Sequence, residues 1–255
     1  MKKFFLFFFS PLFLFALYQG NPALPELPED GILISKEAWL GIKVGYQGDR
    51  LFYQKFRPKE RGEGPKTRVE GYCATAGQGV LTFNINDRLE FYGSVGSMRQ
   101  KITLQQRNRL LLKCETDDHF LWGGGMRLIL FHWQDTVLGV DVKYAQSQGA
   151  IQWLTREGIN IPASGDHIKY HEWQAGVGFA YEIDFLIPYA TIKYDHSRFT
   201  LQGGGFFPLE KAFRNEYTVG ISLGCSFSRE RLFVIDLEAR LINERALSFT
   251  MNFRL

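Results

Sequence analysis

Residues 245–255, RALSFTMNFRL, alternate between apolar and polar side chains without a break. The apolar face of this segment is formed by Leu247, Phe249, Met251, Phe253 and Leu255. Strict alternation predicts a β-strand with one buried face. The run is longer than a typical soluble strand, and it is about as long as a tilted strand that crosses a membrane.

The same period of two recurs along the rest of the chain. It is found in residues 88–97, 136–146, 172–183, 216–227 and 231–241. These runs are about twice as long as the strands of a soluble sandwich, which commonly have about five or six residues. A secreted β-sandwich also alternates, because it hides its apolar face in a core, and it remains the alternative if the chain proves soluble in the periplasm.

The connections between the runs differ in length. Short polar turns are predicted at Asn86-Asp87, residues 228–230 and Asn243-Glu244. Asn and Asp tolerate the left-handed backbone of a tight turn. Longer polar stretches alternate with them, at residues 57–70, 97–109, 149–166 and 201–214. Short turns at one end and longer loops at the other are typical of an outer-membrane β-barrel.

We therefore predict an all-β protein, a transmembrane antiparallel β-barrel, over residues 38–255. The alternating runs give about twelve strands, within a range of ten to sixteen, and even numbers are expected for bacterial barrels. Barrels of about 8 strands are filled by side chains, whereas those of 16 to 18 leave an aqueous channel. A ring of about twelve is thus expected to hold a narrow lumen.

The N-terminus has the features of an export signal. Residues 1–16, MKKFFLFFFSPLFLFA, combine two lysines with an apolar stretch too short to span a bilayer. We predict a signal peptide over residues 1–16, with cleavage after Ala16. Residues 17–37 are then expected to form an N-terminal periplasmic segment before the barrel.

Composition excludes several classes of protein. The 255 residues carry a net charge of +3, with 45% hydrophobic and 22% charged residues, so a disordered chain is not expected. No concentrated basic face is visible, so nucleic acid is not a predicted partner. The high aromatic and glycine contents favour strands over helices. Three cysteines do not make a disulfide scaffold.

The charged residues on the polar faces of the runs are the candidates to line the lumen. The basic candidates are Lys43, Arg88, Arg127, Lys143, Lys193, Arg240 and Arg254. The acidic candidates are Glu90, Asp141, Glu172, Glu182, Asp195, Glu216, Asp236 and Glu238. Neither sign dominates, so weak ion selectivity is expected. The alternative is that these charges pair across neighbouring strands and only stabilise the sheet.

Small residues also lie on the polar faces, at Gly176, Gly178, Ala180, Gly220, Ser222 and Gly224. They indicate either free space in the lumen or close packing against an inserted segment. Aromatic residues near the ends of runs are candidates for interfacial girdles: Tyr46, Trp122, Trp133, Tyr144, Trp153, Trp173, Tyr181 and Tyr194.

No catalytic, cofactor or metal site is predicted. Asp-His pairs occur at Asp118-His119, Asp166-His167 and Asp195-His196, but neighbours on a strand point to opposite faces. The sequence has no nucleophile elbow, zinc signature or phosphate loop. Cys73 and Cys114 are candidates for a disulfide, because the export compartment permits one.

Several blocks of sequence, in matching order, resemble the chlamydial major outer membrane protein family. The blocks are residues 20–25 with 30–33, 44–49, 83–96, 144–147, 172–175, 188–189, 238–246 and 252–255. The resemblance implies a β-barrel porin that also contributes to the integrity of the cell envelope. This chain is much shorter than the family pattern and lacks its cysteine-rich N-terminal stretch, which puts disulfide cross-linking in doubt.

Our prediction is an outer-membrane porin, exported and multi-pass, that allows passive diffusion of small solutes and has a structural role in the bacterial envelope. The expected partners are outer-membrane lipid and small hydrophilic solutes, with a homo-oligomer as a further candidate and no cofactor. The main alternative is a closed barrel that acts as a structural or adhesive surface protein. A hydrolase with a site at the barrel rim is a remote alternative.

Overall fold

The computed structural model describes residues 18–27, 38–59, 67–105, 111–156, 158–163, 165–203, 205, 207, 210–229 and 233–255. The predicted signal peptide, residues 1–16, lies outside this part of the chain. The strands are β1 (Leu40–Gln54), β2 (Phe56–Pro58), β3 (Arg68–Ile85), β4 (Leu89–Gln105), β5 (Leu111–Thr116), β6 (His119–Trp133), β7 (Thr136–Arg156), β8 (Ile159–Pro162), β9 (Asp166–Tyr181), β10 (Leu186–Gly203), β11 (Lys211–Asn215), β12 (Val219–Arg229), β13 (Phe233–Leu241) and β14 (Glu244–Arg254). None of the described residues form a helix that is long and apolar enough to cross a membrane.

The described strands close into one antiparallel ring, which confirms the predicted fold class. The ring runs β1, β3, β4, β6, β7, β9, β10, β12, β13 and β14, and the β10–β12 and β14–β1 pairings close it. β5 and β6 pair with the same neighbours, β4 and β7, so they are two parts of one interrupted strand. In the same way β11 continues β12 along β10. The ring therefore has ten strands among the described residues, fewer than the twelve expected but within the predicted range.

The lengths of the connections between strands indicate which end of the barrel is periplasmic. Tight turns join β3 to β4, β6 to β7 and β9 to β10, and they lie at one end. Asn86 and Asp87 have φ values of 52° and 53°, which confirms the tight turn predicted there. Short turns mark the periplasmic end of such barrels and longer connections the extracellular end. The Ile242-Asn243 turn is an exception, since it is short but lies at the upper end of β13, below the extracellular rim.

The barrel changes its strand number along its axis. β13 ends and β14 begins partway up the wall, because Leu241 is the register partner of Ile221 in the middle of the wall. Above them β2, which continues β1, pairs with β11. We call the ten-stranded part the membrane section. The part above it, enclosed by β1–β2, β3, β4, β5, β7, β9, β10 and β11, is the outer section.

The polarity of the wall inverts between the two sections. In the membrane section of β9, Trp173 and Val177 face outward and are exposed, whereas Glu172 faces inward and is buried. In the outer section of the same strand, Lys169 faces outward and Tyr170 inward. The outward apolar run from Trp173 to Tyr181 is about 26 Å long along the strand, at about 3.3 Å per residue. This is the apolar band that a lipid bilayer requires.

The inversion explains why some strands are longer than predicted. β4 and β7 extend far into stretches that were expected to be loops, and β3, β9 and β10 enter such stretches by three residues or fewer. These stretches are polar because their outer faces meet water, and their inner faces supply the apolar residues. The period of two continues through the inversion, but the number of polar residues rises and resembles that of a loop.

Candidate functional site

The barrel interior is the candidate functional site, and the structure places most of the predicted lumen residues there. Twelve of the fifteen are buried and face inward: Lys43, Glu90, Arg127, Asp141, Lys143, Glu172, Lys193, Asp195, Asp236, Glu238, Arg240 and Arg254. The other three do not line the interior. Arg88 and Glu182 lie in the periplasmic turns, and Glu216 is exposed between β11 and β12, because alternation stops where each strand ends.

Three further acidic residues face inward that the sequence analysis did not include. Asp49, Asp166 and Glu244 are all buried. Asp49 lies an even number of residues from Lys43 on β1 and therefore on the same face of the strand, so the alternation alone was sufficient to predict that Asp49 faces the lumen. With these three, the described interior holds nine acidic and six basic side chains, and the charges are less balanced than expected.

An N-terminal segment occupies the lumen. Residues 18–27 form a turn-rich stretch, which we call the plug, and most of its side chains are buried inside the barrel. Its deepest part is held by carboxylates. Glu238 accepts hydrogen bonds from the backbone N–H groups of Gln19 and Gly20, at 3.0 and 2.9 Å. Asp49 accepts one from the N–H of Tyr18 at 3.1 Å.

Cations of the wall hold the backbone carbonyls of the plug. Lys43 Nζ donates to the carbonyl oxygens of Leu24 at 2.6 Å and Pro25 at 3.2 Å, and also to that of Leu27. Arg127 donates to the carbonyl oxygen of Gln19 at 3.2 Å. The orphan polar groups of an irregular backbone are thus satisfied in the interior, as burial requires.

At the periplasmic mouth of the barrel, a side chain of the wall holds the C-terminal part of the plug. Glu26 Oε1 lies 2.9 Å from Nδ1 of His132. Burial raises the pKa of Glu26 above its usual value, and the imidazole of His132 opposes that rise. The plug therefore enters from the periplasmic end, since His132 precedes the turn between β6 and β7.

Small residues of the wall make room for the plug. A Cβ added at Gly139 or Gly178 would lie 3.1 or 3.2 Å from Pro22, and one at Gly176 would collide with Gln19. For Gly176 and Gly178 the structure therefore supports packing against an inserted segment, whereas Gly220 and Gly224 make room for Asn243 and Tyr189. Residues 18–27 had been expected in a segment before the barrel. They lie inside it because their backbone is hydrogen-bonded to the wall and because Tyr18, Leu24 and Leu27 pack in a buried apolar cluster with wall residues.

Charges in the membrane section form a connected network. Glu90 lies 2.7 Å from Lys43 and 3.0 Å from Arg127, and Arg127 lies 3.3 Å from Asp141. Arg127 is the cross-strand neighbour of both carboxylates. The predicted alternative, pairing across adjacent strands, therefore applies to these residues.

A second group of charges surrounds Arg240. Its guanidinium lies 3.4 Å from Glu244, 3.6 Å from Asp49 and 3.8 Å from Glu238. Lys193 also pairs with Glu244. The guanidinium thus links strands β1, β13 and β14 from within the lumen.

Apolar side chains fill the outer section. Phe199 stacks on Phe213 with ring centroids 4.8 Å apart and contacts Phe56 at the same distance. Tyr72 stacks on Phe199 at 5.4 Å and on Tyr170 at 5.8 Å. We call these five residues the aromatic cap. Each is at most 3% exposed, as expected for a barrel of about eight strands, whose interior side chains just fill.

Little free volume remains inside. The larger cavity, between the plug and the wall near Lys43 and Arg127, holds about 30 Å³. A second cavity, below the cap near Glu172 and Glu244, holds about 10 Å³. A single water needs roughly 10 to 15 Å³, so these spaces admit a few waters at most. Neither of these two cavities admits a larger solute.

Among the described residues, the cysteines form no disulfide and the Asp195-His196 pair does not converge. The three cysteines are free. Cys73 faces outward on β3 and Cys114 inward on β5, with β4 between them, so the predicted pairing is geometrically excluded. Asp195 faces inward while its neighbour His196 faces outward, as the strand alternation requires.

A closed antiparallel ring with an apolar outer band and a charged interior defines an integral β-barrel of the outer membrane. The Chlamydia major outer membrane protein family matches residues 159–203. The major outer membrane porin of Chlamydia pneumoniae is 21% identical over 94% of this chain and 94% of that protein. That of Chlamydia abortus is 24% identical over 96% of each. These matches confirm the resemblance predicted from the sequence blocks.

Solved structures give a weaker likeness. The alignment with the outer membrane protease OmpT of Escherichia coli covers 85% of this chain and 94% of that protein, with 8% identity and a TM-score of 0.40. At this level no function is transferred.

Proposed function

We propose that this protein is an outer-membrane porin for small hydrophilic solutes, and that the described conformation is its closed state. The observation that carries the proposal is the charged interior of the membrane section, where twelve predicted charged residues are buried in the lumen. A polar interior under an apolar outer band is the arrangement of porins. The relatives that align over nearly the whole chain are named major outer membrane porins.

Two barriers lie on the proposed route. The plug blocks the periplasmic half. Water can replace its polar contacts with the wall when it leaves, but withdrawal also exposes the apolar contacts that Tyr18, Leu24 and Leu27 make inside the lumen. The aromatic cap blocks the extracellular half, and apolar constrictions of this kind gate channels by excluding water. Opening requires the plug to withdraw and the cap to part.

Conductance in planar bilayers tests the proposal. Four forms are compared: residues 17–255, the same chain lacking residues 17–27, the F199S/F213S variant, and the variant that combines both changes. We expect infrequent stepwise openings for the unaltered chain and more frequent ones when either barrier is removed. The combined variant should conduct most of the time. Heat-modifiable gel mobility checks that each form is folded.

The second candidate function is a closed barrel with a structural or adhesive role in the envelope. The density of the aromatic cap favours it, because a side-chain core of this kind is typical of barrels without a channel. A folded combined variant that never conducts would eliminate the porin proposal and leave this one. Catalysis is not part of either proposal, and the porin names of the relatives agree with that.

A further inference from the structure

Three arginines lie side by side on the outer face of the barrel. Arg198 of β10 is the register partner of Arg214 on β11, and Arg214 is the register partner of Arg57 on β2. Register partners in an antiparallel pair have Cα atoms about 4.5 to 5.5 Å apart. Their strand neighbours Phe199, Phe213 and Phe56 point inward to the aromatic cap, so the arginines point outward. We call Arg57, Arg198 and Arg214 the arginine row.

Other basic groups extend the row. His171 on β9 is the register partner of Arg198 on its other side, but burial and the charges of Arg198 and Lys169 lower its pKa, so it adds a hydrogen-bonding group and no charge at neutral pH. Lys169 lies two residues further along the same face of β9, and Lys55 lies two residues before Arg57. Three adjacent strands and β2 thus present a continuous basic surface.

The acidic side chains nearby do not neutralise this surface. Glu210 lies 3.9 Å from Arg198, and both are substantially exposed, with 60% and 37% of the side chain accessible. Glu216 follows Arg214 on the same face and is exposed. Among the described residues, Arg57 and Arg214 have no ion-pair partner. Like charges that face each other across strands are destabilising, so an anion bound to the row would stabilise the outer section.

The height of the row in the wall indicates which anion it meets. Trp173 and Tyr194 lie below the row, toward the membrane. Their rings are exposed, and the ring centroids are 5.2 Å apart. Exposed Trp and Tyr side chains sit at the level of lipid head groups. The row lies at the extracellular end, where the outer leaflet places its head groups.

We propose that the arginine row binds the phosphate groups of an anionic lipid in the outer leaflet. Guanidinium groups bind phosphate through paired hydrogen bonds, and a row of three spans more than one phosphate. The acyl chains of such a lipid would lie along the apolar band below, against Trp173 and Val177. This site is on the outside of the barrel and does not depend on whether the lumen conducts.

Binding of a phosphorylated lipid to the detergent-solubilised mature chain tests the proposal. The probe is diphosphorylated lipid A, counted as bound molecules by native mass spectrometry and titrated through quenching of tryptophan fluorescence. The same lipid without phosphate and inorganic phosphate alone are the other two ligands. We expect the phosphorylated lipid to bind, the dephosphorylated lipid to bind at least about tenfold more weakly, a difference of about 1.4 kcal/mol, and inorganic phosphate not to displace it.

The R57Q/R198Q/R214Q variant should lose about tenfold or more in affinity for the phosphorylated lipid. The matched control is R99Q/K101Q/K113Q, which removes the same charge from the outer faces of β4 and β5. There Arg99 pairs with Asp118 at 2.8 Å and Lys101 with Glu115 at 2.7 Å, so the control should bind as the unaltered chain does.

Three results would overturn the proposal. Equal losses in the two triple variants would indicate general charge attraction, and no loss in either would place the lipid elsewhere. Displacement by inorganic phosphate would indicate a free-anion site instead of a lipid site. Heat-modifiable gel mobility shows that each variant is folded. The R57K/R198K/R214K variant retains the positive charges but loses the planar guanidinium groups, so it should bind the phosphorylated lipid with intermediate affinity.

Discussion

Single side chains of the interior join the plug to the wall. Lys43 is the clearest case, because one ammonium group serves three carbonyl oxygens of the plug and the carboxylate of Glu90. The parity of the alternation was sufficient to predict that Lys43 and Glu90 face the lumen. It could not predict what Lys43 binds there, because the plug has no periodic pattern and offers Lys43 only backbone carbonyl oxygens.

Replacing Lys43 by methionine should lower the free energy of unfolding by about 3 kcal/mol, since it leaves buried carbonyl groups and a carboxylate with fewer partners. Urea unfolding in detergent micelles measures this. K101M is the matched control, because Lys101 also lies 2.7 Å from a carboxylate, that of Glu115, but at an exposed position. It should cost no more than about 1 kcal/mol. Equal effects of the two substitutions would contradict the role assigned to Lys43.

At the scale of elements, the plug and the wall are matched in shape. Strands β7 and β9 present Gly139, Gly176 and Gly178 where the plug approaches, and Pro22 lies against two of them. The small residues were visible in the sequence, but two explanations fitted them equally. Only the position of the plug distinguishes the two.

A valine at position 178 should displace the plug, because its side chain would occupy the place of Pro22 and press on Thr191. The readout is maleimide labelling of a cysteine at Ala23, which is fully buried, in a chain whose own three cysteines are replaced by alanine. We expect G178V to raise the labelling rate about tenfold, equivalent to about 1.4 kcal/mol of plug stability.

The control for this experiment is G93V, since a Cβ at Gly93 meets nothing within 4 Å and points outward. It should leave the labelling rate unchanged. If G178V behaves like G93V, the contact between Pro22 and the wall does not hold the plug in place.

At the scale of the whole molecule, the sequence predicted the barrel and its inside-outside pattern but not its strand number or its two sections. The count was too high because interruptions such as the one between β5 and β6 divide one strand into two segments of sequence. The outer section was mistaken for loops because its outer face is polar. Closure of a smaller ring by β2 and β11 depends on contacts between residues 56–58 and 213–215, which no local pattern encodes.

The net charge of the interior predicts the ion preference of an open barrel. Weak selectivity was expected from a near balance of candidates, but nine acidic and six basic side chains are buried in the described part of the chain. The combined variant that lacks residues 17–27 and carries F199S/F213S should therefore prefer cations. The reversal potential in a salt gradient measures the preference.

D236N, made in the same combined variant, should move this reversal potential toward zero, because it removes one negative charge from the lumen. An anion preference, or no response to D236N, would show that the buried carboxylates do not face the ion path.

The inverted polarity of the two sections has a thermodynamic consequence. The apolar side chains of the outer section are hidden from water by protein, whereas those of the membrane section face lipid. The outer section is therefore stabilised largely by the aqueous hydrophobic effect, which carries a large heat-capacity change and weakens on cooling, whereas the membrane section uses this effect only where the plug packs in its lumen. The two ends of the same strands should therefore respond differently to cooling, with the extracellular end loosening while the charged interior of the membrane section stays intact.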